Sequence, residues 1–118
     1  MSQAHALGKS GEEAAIAYLK KKKFRVLKQG FRFHRGEIDI IAYDKDTLVF
    51  IEVKTRQSLA FGLPEESVTP LKQQQIRRLA EAYLAMNSLD HVPCRFDILS
   101  LFFRENEGYD IHHLQDAF

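Results

Sequence analysis

The chain has 118 residues, enough for one domain that spans residues 1–118 and buries roughly two-thirds of its unfolded surface. Its composition is that of an ordinary globular protein, and no apolar run approaches the roughly 20 residues of a membrane-spanning helix. The first residues lack the basic-then-apolar pattern of a signal peptide, and the single Cys94 excludes an internal disulfide. These features predict a cytoplasmic protein without a membrane partner.

The net charge of +1 hides an uneven distribution. Residues 1–40 carry nine Lys and Arg against four Asp and Glu, whereas residues 41–118 carry eight against twelve. A basic half of this kind can form a phosphate-binding face. The alternative is a helix C-terminus whose lysines complement the helix dipole, followed by solvated strand positions.

The first predicted element is a helix. Ser10 and Glu13 have the spacing of a capping box, which predicts its start, and it should end near Lys22 or Lys23. An apolar stripe with helical spacing lies between these points: Ala14, Ala15, Tyr18 and Leu19. Three strands are predicted to follow: residues 24–33, 37–43 and 48–55.

A loop over residues 56–66 then leads to a second helix, with Thr69 as its N-cap and Pro70 as its first helical residue. Two strands complete the chain: residues 95–103 and 109–114. The order α-β-β-β-α-β-β predicts an α/β protein with a mixed β-sheet flanked by helices.

Two neighbouring strands carry charge where a buried strand should be apolar: residues 36–41 and 50–55. A tight turn of two or of four residues between them gives the same register. In that register Asp39 lies directly opposite Glu52, and Glu37 lies opposite Lys54. Because side chains alternate along a strand, all four should share one face. The other face is apolar and should pack on the core, so the charged face should open to a cleft.

Directly opposed carboxylates such as Asp39 and Glu52 repel each other. A divalent cation shared between them would explain the pairing, because hard ions such as Mg²⁺ take carboxylate and phosphate oxygens as ligands. Lys54 could then stabilise negative charge or position a water, and this combination suits hydrolysis of a phosphodiester. The alternative is a solvent-exposed face on which Glu37 and Lys54 form an ordinary ion pair.

Asp39 followed by Glu52-Val53-Lys54 resembles the motif of the PD-(D/E)XK nuclease superfamily. This superfamily has the restriction-endonuclease-like fold and includes archaeal Holliday-junction resolvases. Essentially the whole chain is similar to one subgroup, the bacterial YraN-type family, which is uncharacterised and assigned to that fold by similarity. The similarity lies in five segments: residues 8–12, 36–39, 49–56, 95–97 and 117–118.

The resemblance implies a role for several residues. Asp39 and Glu52 correspond to metal ligands, and Lys54 corresponds to the catalytic lysine. In resolvase-like members a glutamate of the first helix joins the metal site, and Glu12 matches its spacing, although a helix-start acid favoured by the dipole is an equal alternative. Ile38 departs from the motif, which has proline before the aspartate, at a position without chemical role.

The sequence therefore predicts a Mg²⁺- or Mn²⁺-dependent endonuclease that acts on DNA, including branched or structured DNA. Arg35, Arg56 and Lys72 are the candidate contacts to the nucleic-acid backbone, and a homodimer would suit a junction resolvase. Two alternatives remain open: a nucleic-acid-binding module of the same fold without turnover, and a non-enzymatic interaction subunit.

Two other pairs are predicted to have structural or surface roles. Arg95 and Asp97 share a strand face and should form an ion pair. His112 and His113 cannot face the same way on a strand, and they show no metal-ligand spacing with the other histidines.

Overall fold

A computed structural model describes residues 3–57 and 62–118. The helices and strands are α1 (Gln3–Lys21), β1 (Arg25–Phe33), β2 (Gly36–Asp44), β3 (Thr47–Arg56), α2 (Pro70–Met86), β4 (Cys94–Arg104) and β5 (Gly108–Leu114). This confirms the predicted order and the α/β class. The predicted loop after β3 includes a short 3₁₀ turn, Pro64–Ser67, and its residues 58–61 lie outside the described part of the chain. No helix in the described ranges is long and apolar enough to span a membrane.

The observed ends of α1 and α2 show which capping signals in the sequence predicted a helix boundary correctly. Helix α1 begins at Gln3, so the capping box predicted at Ser10 is wrong, because Ser10 lies inside the helix. Its C-terminus closes at Lys23, whose φ of 69° is left-handed, with the Phe24 amide donating to the Leu19 carbonyl at 2.9 Å. Helix α2 begins as predicted.

In α2, the side chain of Thr69 accepts a hydrogen bond from the amide of Lys72 at 3.3 Å, and Pro70 opens the helix. This cap fixes where the first turn of α2 begins and therefore where Lys72 lies.

The sheet has the spatial order β1-β2-β3-β4-β5, so strands follow one another as in the chain. All neighbours are antiparallel except β3 and β4, which are parallel and joined by the crossover through α2. Helix α1 packs on one face and α2 on the other, and each covers its own apolar cluster.

The β2–β3 hairpin has the predicted register over half of its length. Asp44 pairs with Thr47 and Ile40 pairs with Ile51, which confirms the two-residue turn. The ladder ends there, so the expected pairs of Asp39 with Glu52 and of Glu37 with Lys54 are absent from it. Those two expectations of direct backbone pairing are wrong.

The reason is a break in the alternation of β2. Ile38 packs in the α2-side core, whereas Ile40 packs in the α1-side core, although residues two apart on a regular strand share a face. The alternation of side chains between the two faces of the sheet is therefore interrupted at Asp39, and β2 separates from β3 beyond this point. Glu37 forms its ion pair with Arg32 of β1, at 3.5 Å, and not with Lys54.

Both faces of β3 are buried along its first half. Leu48 and Phe50 pack toward α2, while Val49 and Ile51 pack toward α1. The expectation that one whole face of the hairpin opens to a cleft is thus wrong, because α2 covers that face as well. The polar site is confined to the second half of β3, where the ladder to β2 has ended.

Candidate active site

Asp39 lies where the two strands separate. Its carboxylate accepts a hydrogen bond from the backbone amide of Val53 at 2.8 Å, in place of a backbone partner on β2. Burial raises the pKa of Asp39 above its ordinary value, against the opposing effect of the Val53 hydrogen bond, and the charge of Glu37 adds to the increase. The side chain of Asp39 is therefore held in one orientation beside β3.

Glu52 is the most unusual side chain of the site, because only 5% of it is exposed. Its Oε1 lies 3.5 Å from the Lys54 ammonium and 3.9 Å from the Lys72 ammonium. Its Oε2 is buried and has no hydrogen-bond partner among the described residues. Burial and then repulsion by Asp39 raise the pKa of Glu52 to about 7. Asp39 and Glu52 therefore act on each other electrostatically, although their backbones are not paired.

Two lysines from different elements balance this negative charge. Lys54 follows Glu52 by two residues on β3, and Lys72 comes from the capped first turn of α2. Both ammonium groups lower the pKa values of Asp39 and Glu52, against the larger effect of burial. The structure thus brings together Asp39, Glu52, Lys54 and Lys72, which were all predicted from the sequence.

Glu12 approaches the same region from α1. Burial first, and then the charges of Asp39 and Glu37, raise the pKa of Glu12. The preceding residue, Gly11, explains how the helix comes so close: a Cβ there would lie 2.4 Å from the hydroxyl oxygen of Thr55 on β3. Only glycine permits this contact between α1 and the sheet.

The two remaining candidates are less closely associated with the acidic side chains. The Arg56 guanidinium, half-buried at the end of β3, donates to the carbonyl of Thr55 at 3.0 Å. Arg35 is exposed in the turn between β1 and β2. Within the described ranges, neither forms an ion pair with an acidic side chain.

Sequence reasoning missed two residues beside Lys54. Ser100 of β4 pairs with Lys54 of β3 and is buried, and its hydroxyl donates to the Glu65 carboxylate at 3.1 Å. Glu65 belongs to the 3₁₀ turn, so this bond anchors the connection after β3 beside the site. The parallel pairing of β3 with β4 creates the contact, and no local pattern in the sequence predicts that pairing.

A second polar cluster lies on the α1 side of the sheet and is structural. Asp97 is fully buried and receives both Arg95 and His113, with the Arg95 Nε at 2.9 Å and the His113 Nε2 at 2.7 Å. Burial alone would raise the pKa of Asp97, but these partners and the Asp116 amide lower it below its ordinary value. The predicted Arg95–Asp97 ion pair is confirmed, and His112 and His113 differ in exposure as expected.

The donor set of the site fits a hard divalent cation. Among the described residues no three or more His, Cys, Asp or Glu side chains are gathered into a ready-made metal centre. Mg²⁺ does not require one, because it keeps several waters and binds through one or two carboxylates together with substrate phosphates. The buried, unpartnered Oε2 of Glu52 is an oxygen that such an ion would use.

The mixed β-sheet with a helix on each face places the protein in the α/β class, and its polar site combines buried acids with lysines. Comparison with known sequences defines the family. Residues 11–101 match the family model described as "Uncharacterised protein family UPF0102". A UPF0102 protein of Geotalea uraniireducens is 45% identical over 113 residues, covering 96% of this chain and 89% of the relative. One of Chlorobaculum parvum is 50% identical over 117 residues, covering 95% and 91%. The chain belongs to the UPF0102 family, which confirms the resemblance to the YraN-type family.

Proposed function

We propose that the protein is a metal-dependent nuclease that hydrolyses phosphodiester bonds in DNA. The observation that carries this proposal is the buried carboxylate of Glu52, which has one unpartnered oxygen and lies beside a second acid, Asp39. A fold gains nothing in stability from such an arrangement, because both burial and like charge disfavour the ionised form. Buried carboxylates with raised pKa values are typical of functional sites, and a bound cation would offset the repulsion between Asp39 and Glu52.

Each residue of the site has a distinct role in this proposal. Asp39 and Glu52 would hold Mg²⁺ or Mn²⁺, and Glu12 would complete the site from α1. The bound ion would polarise the phosphate and lower the pKa of the attacking water. Lys54 would stabilise the negative charge that develops on the phosphate in the transition state. Lys72, close to Glu52, would keep that carboxylate ionised and contact a phosphate of the substrate.

DNA is the favoured substrate class on the strength of the motif, and branched or structured DNA is the finer part of the proposal. A homodimer would present two such sites to a junction. The competing interpretation is a nucleic-acid-binding module that retains the site without turnover, since a fold alone does not establish an activity.

The test is a cleavage assay on the purified chain with Mg²⁺ and with Mn²⁺, over linear duplex, single-stranded, flapped and four-way DNA. We expect cleavage that requires the metal and is lost in Asp39→Asn purified in the same way, which excludes a contaminating nuclease. Binding without cleavage of any substrate would favour the binding module. Neither binding nor cleavage would favour the interaction subunit.

A further inference from the structure

A run of cations extends from the end of α1 along the outer strand β1 into the turn that follows it. Residues 20–35 contain eight Lys and Arg and no Asp or Glu. All eight are exposed: Lys20, Lys21, Lys22, Lys23, Arg25, Lys28, Arg32 and Arg35. Of these, only Arg32 has an acidic partner among the described residues, namely Glu37. This surface, which we call the β1 edge, is therefore strongly positive in a chain of almost neutral net charge.

The geometry of the edge suits an extended polyanion. β1 is the first strand of the sheet and, in the described part of the chain, pairs only with β2, so its outer side faces no other described strand. Its nine residues span roughly 30 Å, over which one DNA strand presents about nine phosphates. An open groove of about 350 Å³ lies between the end of α1 and the strand, lined by Lys20, Val26, Leu27, Lys28 and Gln29.

The edge also leads to the active site. Arg25 lies opposite Tyr43 at one end of the β1–β2 ladder, and Arg32 lies opposite Glu37 at the other. Between these ends, Gln29 pairs with Ile40 and Phe31 pairs with Ile38, so β1 runs alongside the part of β2 that carries Asp39. A backbone bound along the edge would therefore follow the strand next to the one that carries Asp39.

A second copy of the chain does not fit this edge. β1 contains an irregularity between Val26 and Lys28 and a left-handed Gly30 with φ of 66°, and both interrupt regular strand pairing. Two such edges would also bring eight cations against eight others. The simpler explanation for the charges is protection of the edge against aggregation, but only three of the eight cations lie on β1 itself, and the run begins in α1.

We infer that the β1 edge is a nucleic-acid-binding surface that holds the phosphate backbone of the substrate outside the catalytic cleft. This inference deepens the proposed function and takes its substrate class from it. The contacts are to phosphates, so the surface contributes affinity and position without sequence preference. The groove at Lys20 and Lys28 lies in the middle of the surface, between Arg25 and Arg32.

The experiment measures binding of a labelled DNA duplex by fluorescence anisotropy over a series of salt concentrations. All proteins carry Asp39→Asn, so that cleavage does not interfere. The edge variants are Lys28→Gln and Lys20→Gln/Lys28→Gln. The matched control is Arg104→Gln, which removes an exposed cation already paired with Asp110 at 2.5 Å, near the other side of the sheet.

We expect each lysine removed to weaken the salt dependence by about 0.9 in the slope of log K against log salt, and the double variant by roughly twice that. Arg104→Gln should keep the parent slope. An unchanged slope in the double variant would overturn the inference. So would aggregation of that variant with unchanged affinity, which would identify the lysines as edge protection, or binding to anionic vesicles in place of DNA.

Adding the wild-type chain, without Asp39→Asn, to the same binding assay and to the cleavage assay separates this inference from the nuclease proposal. If the chain without Asp39→Asn binds DNA through the edge but cuts nothing, the binding surface stands and the proposed catalysis fails. If it cuts DNA while the edge variants bind normally, catalysis stands and the surface fails. Absence of any DNA binding overturns both.

Discussion

At the scale of single residues, the carboxyl group of Glu52 should make stability depend on pH in an unusual direction. Because its pKa rises from 4.5 to about 7 on folding, the folded chain holds this proton more tightly than the unfolded chain. The stabilisation that comes from this tighter proton binding by Glu52 is fully present below about pH 4.5 and is lost as the pH rises through about 7. Ionised Glu52 therefore destabilises the metal-free protein at neutral pH.

We predict that Glu52→Gln stabilises the metal-free protein at about pH 8, by up to roughly 3 kcal/mol, and gains little at about pH 5. Denaturant unfolding in the presence of a chelator at both pH values measures the difference. Glu81→Gln makes the same change on the exposed face of α2 and should follow the wild-type protein. A Glu52→Gln variant that is less stable than wild type at the higher pH would contradict the prediction.

Lys54 should matter for rate and hardly for affinity. In Lys54→Ala we expect cleavage to fall by roughly 100-fold or more, because charge stabilisation realised in the transition state acts on the barrier. DNA binding should change only a few-fold, since one lysine is one of several phosphate contacts. Cleavage and binding are measured on the same substrate and preparation.

The control for Lys54→Ala is Lys45→Gly. It removes an ammonium from the β2–β3 turn, where the left-handed φ of 55° accommodates glycine. This variant should cleave DNA at the wild-type rate. Equal losses of binding and cleavage in Lys54→Ala would instead assign Lys54 a role in binding alone.

The identity of the charged site residues was the part of the site best predicted from the sequence. Asp39, Glu52 and Lys54 could be found because their charges interrupt strands that are otherwise apolar, which is visible in the sequence. Ser100 and Glu65 could not, since a serine on a strand and a glutamate in a loop are ordinary. Their contact depends on which strands become neighbours, and no pattern within either segment records that.

At the scale of elements, the close approach of α1 to β3 should be the most sensitive contact of the site. In Gly11→Ala the new Cβ would collide with the Thr55 side chain, so either that side chain or α1 must shift, and a shift of α1 would move Glu12 with it. We predict lower stability and lower metal affinity. Thermal unfolding and Mn²⁺ titration measure these two effects.

Gly8→Ala is the matched control, because a Cβ at Gly8 would meet no described atom within 4 Å. It should stabilise the helix by about 1 kcal/mol at most. Removing the obstructing atoms in Gly11→Ala/Thr55→Ala should restore part of the loss. A Gly11→Ala variant as stable as Gly8→Ala would show that the contact is not tight.

The buried cluster around Asp97 should be a separate determinant of stability. Asp97→Asn removes the charge that Arg95 and His113 share inside the fold, and we expect a loss of roughly 2–4 kcal/mol in the free energy of unfolding. Asp110→Asn, at the exposed pair with Arg104, should change little. Among the described residues Asp97 hydrogen-bonds to Arg95, His113 and Asp116, none of which belongs to the site, so cleavage per folded molecule should persist in Asp97→Asn.

The elements also show where sequence reasoning failed. The hairpin register was predictable from Asp44 to Ile40, because a tight turn leaves few alternatives. The separation of β2 from β3 beyond Ile40 was not, because extrapolating the period of two assumes an unbroken strand. The break occurs at Asp39, whose side chain takes the Val53 amide that a regular ladder would have given to a backbone carbonyl.

At the scale of the whole molecule, the order of elements and the α/β class follow from hydrophobic periodicity and from clear helix signals such as Thr69-Pro70. The crossover of α2 sets the parallel pairing of β3 with β4, and α1 and α2 together bury β3 on both faces. This crossover is a long-range feature that also brings Lys72 to Glu52. The residues of the site on β2 and β3 can therefore be predicted from local sequence patterns, whereas Lys72 reaches them only through the tertiary structure.

The most direct test of the central claim is Mn²⁺ binding by titration calorimetry on the metal-free chain, without nucleic acid. Two carboxylates make a weak site, because the ion keeps its waters, so we predict weak but measurable binding in wild type. Asp39→Asn/Glu52→Gln should lose it, while Glu81→Gln/Asp110→Asn, with the same charge change on exposed positions, should retain it. Equal Mn²⁺ affinity in wild type and in Asp39→Asn/Glu52→Gln would contradict the account.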